Sequence, residues 1–167
     1  MEFGYIGINY KNADQDIRDG VSFTDNGKID FMEKAADAGI SQCMVLSTCN
    51  RSEVYYLVQD TEEHKTMERL YRGNFSAICL DEYLDFRSGK EAIAYLFRVT
   101  AGLESMVLGE DQILGQVKEA CELSQTLGYT GKELNKEFFN FNYDITRFYI
   151  NSQLQTCVVL KLSLIHI

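Results

Sequence analysis

The stretch ISQCMVLSTCNRSEVYYLV, residues 40–58, decides the fold. Ile40, Cys43, Val45 and Leu46 make residues 40–48 a mostly buried strand, and Val54, Tyr55, Tyr56, Leu57 and Val58 make a second over 53–59. Branched and aromatic side chains fit a pleated, packed surface. Between the two runs lies a sharp polar connection, Ser47-Thr48-Cys49-Asn50-Arg51-Ser52.

Upstream, residues 3–10 alternate loosely (Phe3, Tyr5, Ile6, Ile8, Tyr10) and read as a further strand, followed by a polar stretch from Lys11 to Asp19. Asp25-Asn26-Gly27 forms a turn or cap before a helix over 28–38, whose face is Ile29, Met32, Ala35 and Ala36 and whose C-terminal glycine is Gly39. Downstream, a helix over 62–72 carries Met67, Leu70 and Tyr71. From Gly89 the pattern turns helical: Ala92, Ile93, Leu96 and Phe97 share a face that ends near Gly102. Gly109-Glu110-Asp111 opens another helix with acidic residues at its positive end; it buries Ile113, Val117, Ala120, Cys121 and Leu127 and stops at Gly128. A last helix starts at Lys132 and runs toward the 150s. The fold class is α+β: a small mixed or antiparallel sheet with packed helices, then a helical segment leading into a long helix. Residues 1–150 form one unit, mixed to about 88 and helical from about 89. The apolar tail, 151–167, reads as the end of a truncated chain.

With 167 residues, 46% hydrophobic and 25% charged, the chain suits one globular domain with a real core. Its net charge of -9 argues against a sequence-independent grip on a phosphate backbone, which needs clustered Lys and Arg. The five cysteines, Cys43, Cys49, Cys79, Cys121 and Cys157, are odd in number and irregular in spacing, with only His64 and His166 beside them. That excludes a disulfide framework and leaves no metal site. Free thiols, no secretory leader and no apolar run near the roughly 18 residues that span a bilayer place the protein in the cytoplasm, away from membranes.

Cys49 sits where scaffolds present reactive groups, at a bend between strands, with Arg51 two residues on. A guanidinium nearby favours the thiolate, the nucleophilic form. Locally, an inert turn cysteine reads as well. Arg51 suits two-pronged binding of a carboxylate, or an ion pair at the surface with Glu53. His64, beside Glu62 and Glu63, reads as part of a solvated helix face. No Cys-His pair and no glycine-rich phosphate loop is present.

Two longer motifs point further. Ser47-Thr48-Cys49-Asn50-Arg51-Ser52-Glu53 before an aromatic strand, and LFRVTAGLESMVLGEDQILGQVK over residues 96–118, resemble the two signatures of glutamyl-tRNA reductases; Gly7-Ile8-Asn9-Tyr10-Lys11 and Ile17-Arg18 resemble that family's opening. The resemblance covers residues 3 to 135. It implies NADPH-dependent reduction of glutamyl-tRNA(Glu) to glutamate-1-semialdehyde, the first step of tetrapyrrole (5-aminolevulinate, porphyrin) biosynthesis by the C5 route. Cys49 would form the glutamyl thioester. Thr48, Asn50, Arg51, Ser105, Glu110, Asp111, Gln112 and Gln116 would line the glutamyl pocket, with Arg51 facing its side-chain carboxylate. Gln112 and Gln116, one turn apart, share a helix face.

The resemblance also implies partners: glutamyl-tRNA(Glu), glutamate-1-semialdehyde aminotransferase, and a second copy in a homodimer. Three departures stand out. Tyr95 occupies a position where histidine is usual, so any activity-modulating proton transfer there changes character, since tyrosine titrates near pH ~10. Asp111 stands where proline is usual. The family continues into an NADPH-binding domain that these residues do not resemble, so the chain is expected to carry the thiol half of the chemistry and not to complete reduction alone. The rival expectation is a non-catalytic remnant that binds tRNA or a protein.

Overall fold

A computed structural model describes residues 1–108 and 112–131. Its elements are β1 (Glu2–Asn9), α1 (Gln15–Gly20), α2 (Asp25–Asp37), β2 (Cys43–Thr48), β3 (Arg51–Val58), α3 (Thr61–Asn74), β4 (Asp85–Ser88), α4 (Gly89–Thr100) and α5 (Gln112–Thr126). The four strands form one antiparallel sheet in the order β2-β3-β1-β4. The α+β expectation holds, and the sheet is antiparallel throughout.

Helices cover both faces of this sheet. On one face Ile6, Ile8, Val45, Val54, Tyr56 and Val58 meet Phe31 and Met32 of α2 and Met67 and Tyr71 of α3. On the other, Phe3, Tyr5, Met44, Leu46 and Tyr55 meet Ala92, Tyr95, Leu96 and Val99 of α4 and Ile113, Val117 and Cys121 of α5. Double coverage explains why strand 3–10 alternates only loosely: from Phe3 to Asn9 every β1 residue is buried.

Local chemistry sets the helix limits. The Thr24 hydroxyl accepts from the Gly27 N–H and starts α2 three residues earlier than the periodicity suggests. The Asp60 carboxylate accepts from the N–H groups of Glu62 and Glu63 at the start of α3. At the end of α4, Gly102 adopts φ +70°; its N–H donates to the Val99 carbonyl and that of Leu103 to Arg98. This turn needs a left-handed residue, which glycine supplies without a Cβ penalty. The same arrangement ends α2 at Gly39 and α5 at Gly128, as the glycine positions suggest.

Two expectations meet a different outcome, one strand has no counterpart among them, and two fall outside the described residues. The polar stretch after β1 contains α1, six residues capped by Asp14, too short to show a periodicity. β4, Asp-Phe-Arg-Ser, is held by its pairing with β1 and not by its own β-propensity. Leu127, expected in the core, is 37% exposed. The long helix from Lys132 and the tail 151–167 lie outside the described residues. Among the described residues no helix is long and apolar enough to cross a membrane.

β1 lies beside β3 in the sheet, with Gly7 opposite Glu53. A Cβ added at Gly7 would lie 2.8 Å from the Ser52 carbonyl oxygen and 2.9 Å from the Glu53 Cα, backbone that cannot step aside. Gly7→Ala should therefore lower unfolding stability by about 1–3 kcal/mol in urea titration. Gly115→Ala, with nothing within 4 Å of the new methyl, should raise it by about 0.5–1 kcal/mol.

Candidate active site

β2 ends at Thr48 and β3 begins at Arg51, and these two residues are opposite partners in the ladder. Cys49 and Asn50 are thus the whole connection. Two-residue hairpins usually close with positive φ in the first central residue, yet no non-glycine residue among those described has positive φ. The turn is instead held from its surroundings. The Asn50 N–H donates to the Thr48 hydroxyl at 3.2 Å, and the Asn50 carbonyl accepts from the Tyr10 N–H at 3.0 Å. The Cys49 carbonyl accepts from Arg18 Nε at 3.3 Å, while Arg18 Nη1 donates to the Ala13 carbonyl at 2.7 Å. One residue before the hairpin turn, the Ser47 hydroxyl accepts from the Phe23 N–H.

This anchoring leaves Cys49 exposed. Cys43 and Cys121 are buried, and burial pushes both thiols up to about 12, so they stay protonated near neutrality. Cys79 is exposed, and its thiol donates toward the Asp81 carboxylate. Cys157 lies outside the described residues. Of the described cysteines, Cys49 alone is exposed with its own backbone carbonyl held by an arginine.

Behind the turn, Glu53 is fully buried and yet satisfied. Its carboxylate accepts from Arg51 Nη1 at 3.0 Å and from the hydroxyls of Tyr55 at 2.8 Å, Tyr95 at 2.9 Å and Tyr5 at 3.4 Å. Arg51 also donates through Nη2 to the Glu104 carbonyl. The Arg51–Glu53 pair expected at the surface is buried: 1% of the Arg51 side chain is exposed and none of Glu53. Burial opposes the Arg51 charge, but Glu53 outweighs it and holds the guanidinium protonated. Burial first, and then the Glu53 charge, push the Tyr95 hydroxyl well above its usual range. Tyr95 is therefore a fixed hydrogen-bond donor near neutrality. It also accepts from the Asn9 carboxamide at 3.2 Å, and its ring packs against that of Tyr5 and carries the Arg87 guanidinium 4.2 Å from its centre.

The loop after α4 closes the site. Glu104 pairs with Lys11 and with Arg98, and the Ser105 carbonyl accepts from the Tyr10 hydroxyl at 3.2 Å. Tyr10 thereby ties the cysteine turn to Ser105. The Ser105 hydroxyl is itself buried without a partner. Gln116 lines a cavity of about 440 Å³ with Ser47, Asp25 and Lys28, and Gln112 is exposed. Glu110 and Asp111 lie outside the described residues. The structure thus gathers Thr48, Cys49, Asn50, Arg51 and Ser105 through Tyr10 and the Arg51–Glu104 bond, whereas Gln116 lines a cavity that none of these residues lines. Sequence reasoning missed Tyr10, Glu104 and the buried role of Glu53. The last was readable from Glu53 sharing the inward-facing parity of Tyr55.

His64, expected on a solvated face, bonds through Nδ1 to the Tyr56 hydroxyl and lies 3.4 Å from Glu2. Among the described residues no group of three or more His, Cys, Asp or Glu could hold a metal ion.

Two predictions follow from these bonds. Glu53→Gln strands the buried Arg51 charge and should cost about 3–5 kcal/mol in chemical denaturation, whereas Tyr95→Phe, which removes one donor, should cost about 1–2 kcal/mol. Glu104 is subject to burial, which raises a carboxyl, but Lys11 and Arg98 outweigh it and hold it below its ordinary 4.5. Its depressed value stabilises the fold above that pH and is lost as pH falls through the folded value. Glu104→Gln should flatten the acid limb of a melting-temperature profile below pH 5.

Residues 6–142 match the sequence family described as glutamyl-tRNAGlu reductase, N-terminal domain. The glutamyl-tRNA reductase of Clostridium novyi (strain NT) is 42% identical over 139 residues, 83% of this chain and 34% of that protein. That of Alkaliphilus metalliredigens (strain QYMF) is 40% identical over 142 residues, with the same two shares. Among solved structures, the glutamyl-tRNA reductase from Methanopyrus kandleri matches with a TM-score of 0.71 and 32% identity, over 87% of this chain and 33% of that one. The chain accordingly spans 34% of the length of these curated relatives. Sequence match, superposed fold and the anchored Thr48–Arg51 turn agree, and the chain belongs to the glutamyl-tRNA reductase family, whose N-terminal domain it represents.

Proposed function

We propose that this domain accepts the glutamyl group of glutamyl-tRNA(Glu) on Cys49. The Sγ thiolate attacks the ester carbonyl, a C–S bond forms, the C–O bond to the tRNA's terminal ribose breaks, and the released ribose oxygen takes up a proton. The carrying observation is an exposed thiol on a two-residue turn that Tyr10 and Arg18 pin from outside. Pinning the nucleophile removes positional freedom before reaction, which is where oriented catalysis gains.

Thr48, Asn50, Ser105, Gln112 and Gln116 bind the glutamyl group in this reading, and the family resemblance adds Glu110 and Asp111. The unpartnered Ser105 hydroxyl supports it, because an unsatisfied buried polar group costs about 1–3 kcal/mol that a polar substrate atom recovers. Arg51 contributes from behind the wall, through the Glu104 carbonyl that it holds. Tyr95 holds Glu53 and Asn9 in place as a protonated hydroxyl and transfers no proton in this reading. With no strongly basic composition, the domain recognises the charged end of the tRNA by the glutamyl group and local contacts.

The described residues do not fit NADPH. Their positive-φ glycines end helices, except Gly89 at the β4–α4 junction, where the Glu2 carboxylate lies 3.2 Å from the position of an added Cβ. A carboxylate there repels a pyrophosphate. Hydride delivery, homodimer assembly and transfer of glutamate-1-semialdehyde to its aminotransferase are assigned to regions beyond this domain.

Incubated with charged tRNA, the wild-type chain should release free tRNA in excess of spontaneous hydrolysis, and Cys49→Ser should release it at the background rate. Equal discharge by the two proteins would leave the binding-remnant reading in place instead.

A further inference from the structure

Arg18 stands apart from most of the described arginines. Arg51, Arg72, Arg87 and Arg98 each hold a carboxylate. Among the described residues Arg18 has no carboxylate within ion-pair distance and is half-buried; its two hydrogen bonds go to the backbone carbonyls of Cys49 and Ala13. Carbonyl oxygens orient a guanidinium without cancelling its charge. In a chain of net charge -9, an uncompensated and oriented cation at the candidate nucleophile is a specific arrangement.

Arg51, two residues from Cys49 in sequence, is the cation that local spacing favours. Its charge is matched by Glu53 within the core, so the pair presents little net field to the turn. Arg18 is placed differently. Its Nε lies 3.3 Å from the Cys49 carbonyl oxygen, and four covalent bonds separate that oxygen from Sγ, so the charge falls within roughly 8 Å of the sulfur. That is inside the range over which salt at physiological strength leaves a charge effective. Asp14, Asp16 and Asp19 of the same segment are exposed to solvent, and Asp14 is occupied in capping Ile17.

We infer that Arg18 is the positioning residue of the cysteine turn: it fixes the Cys49 carbonyl, and its charge, not that of Arg51, is the one that anionic sulfur and an anionic reagent at Cys49 meet. The inference rests on Cys49 being the acyl acceptor, but its test does not. Site-resolved alkylation of the full 167-residue chain by anionic iodoacetate and neutral iodoacetamide gives a rate ratio at Cys49 that reads the local field, with exposed Cys79 as internal reference.

Arg18→Gln should lower the iodoacetate-to-iodoacetamide ratio at Cys49 about twofold, the effect of one unit charge at that range in water, and leave the Cys79 ratio unchanged. Arg18→Lys should keep most of it. In the wild-type chain, added salt should reduce the Cys49 ratio relative to that of Cys79, a readout that needs no variant to fold. An unchanged ratio in Arg18→Gln, an equal loss in Arg18→Lys, or a salt-independent ratio in the wild type would each overturn the inference. Equal tRNA discharge by wild type and Cys49→Ser would instead remove the acyl-acceptor reading while leaving the measured field intact.

Discussion

A single carboxylate with no exposure to water, that of Glu53, gathers four donors from three parts of the chain: Arg51 and Tyr55 of β3, Tyr5 of β1 and Tyr95 of α4. A buried charge is tolerated only when paired and hydrogen-bonded, and losing one partner costs more than the pair contributes. The requirement therefore acts as a geometric constraint. It fixes β1 against β3 at the point where Gly7 faces Glu53, and it fixes α4 on the sheet through the Tyr95 hydroxyl. Through the second end of Arg51 it also fixes the loop that carries Glu104 and Ser105.

The cysteine turn lies just past this knot. Its neighbours on the far side are the end of β1 and the short α1, which hold it through Tyr10 and Arg18. Cys49 thus sits between a rigid polar core and a set of external anchors, exposed but with its backbone restrained. Loops placed by a stiff scaffold in this way are where binding and catalytic groups concentrate. Tyr10 adds a direct link, since its backbone reaches Asn50 and its hydroxyl reaches Ser105. The two motifs of the sequence, some fifty residues apart, meet through Tyr10 and through the bond from Arg51 to the Glu104 carbonyl.

Much of the architecture was legible because the signals were local. Three glycines marked three helix ends, and the runs 40–48 and 53–59 marked the hairpin. The helix face through Ala92 and Leu96 was equally plain. β4 and α1 were not, because each is too short to carry a period and each depends on tertiary partners. The site was half legible. Cys49 at a bend could be named from its position, whereas the partner of its charge could not. Spacing put Arg51 beside it, but strand parity turns Arg51 inward to Glu53, and the cation that touches the turn comes from Arg18, thirty-one residues away. Burial beside Glu53 likewise makes Tyr95 of α4 a hydrogen-bond donor and not a titrating group near neutrality.

The account depends on Cys49 itself becoming acylated. Rapid acid quench of the chain with glutamyl-tRNA(Glu), followed by peptide mass spectrometry, should find a glutamyl adduct on the Cys49 peptide that hydroxylamine removes, with the other cysteine peptides unmodified. Discharged tRNA alongside an unmodified Cys49 peptide, or an adduct at Cys79 instead, would contradict it.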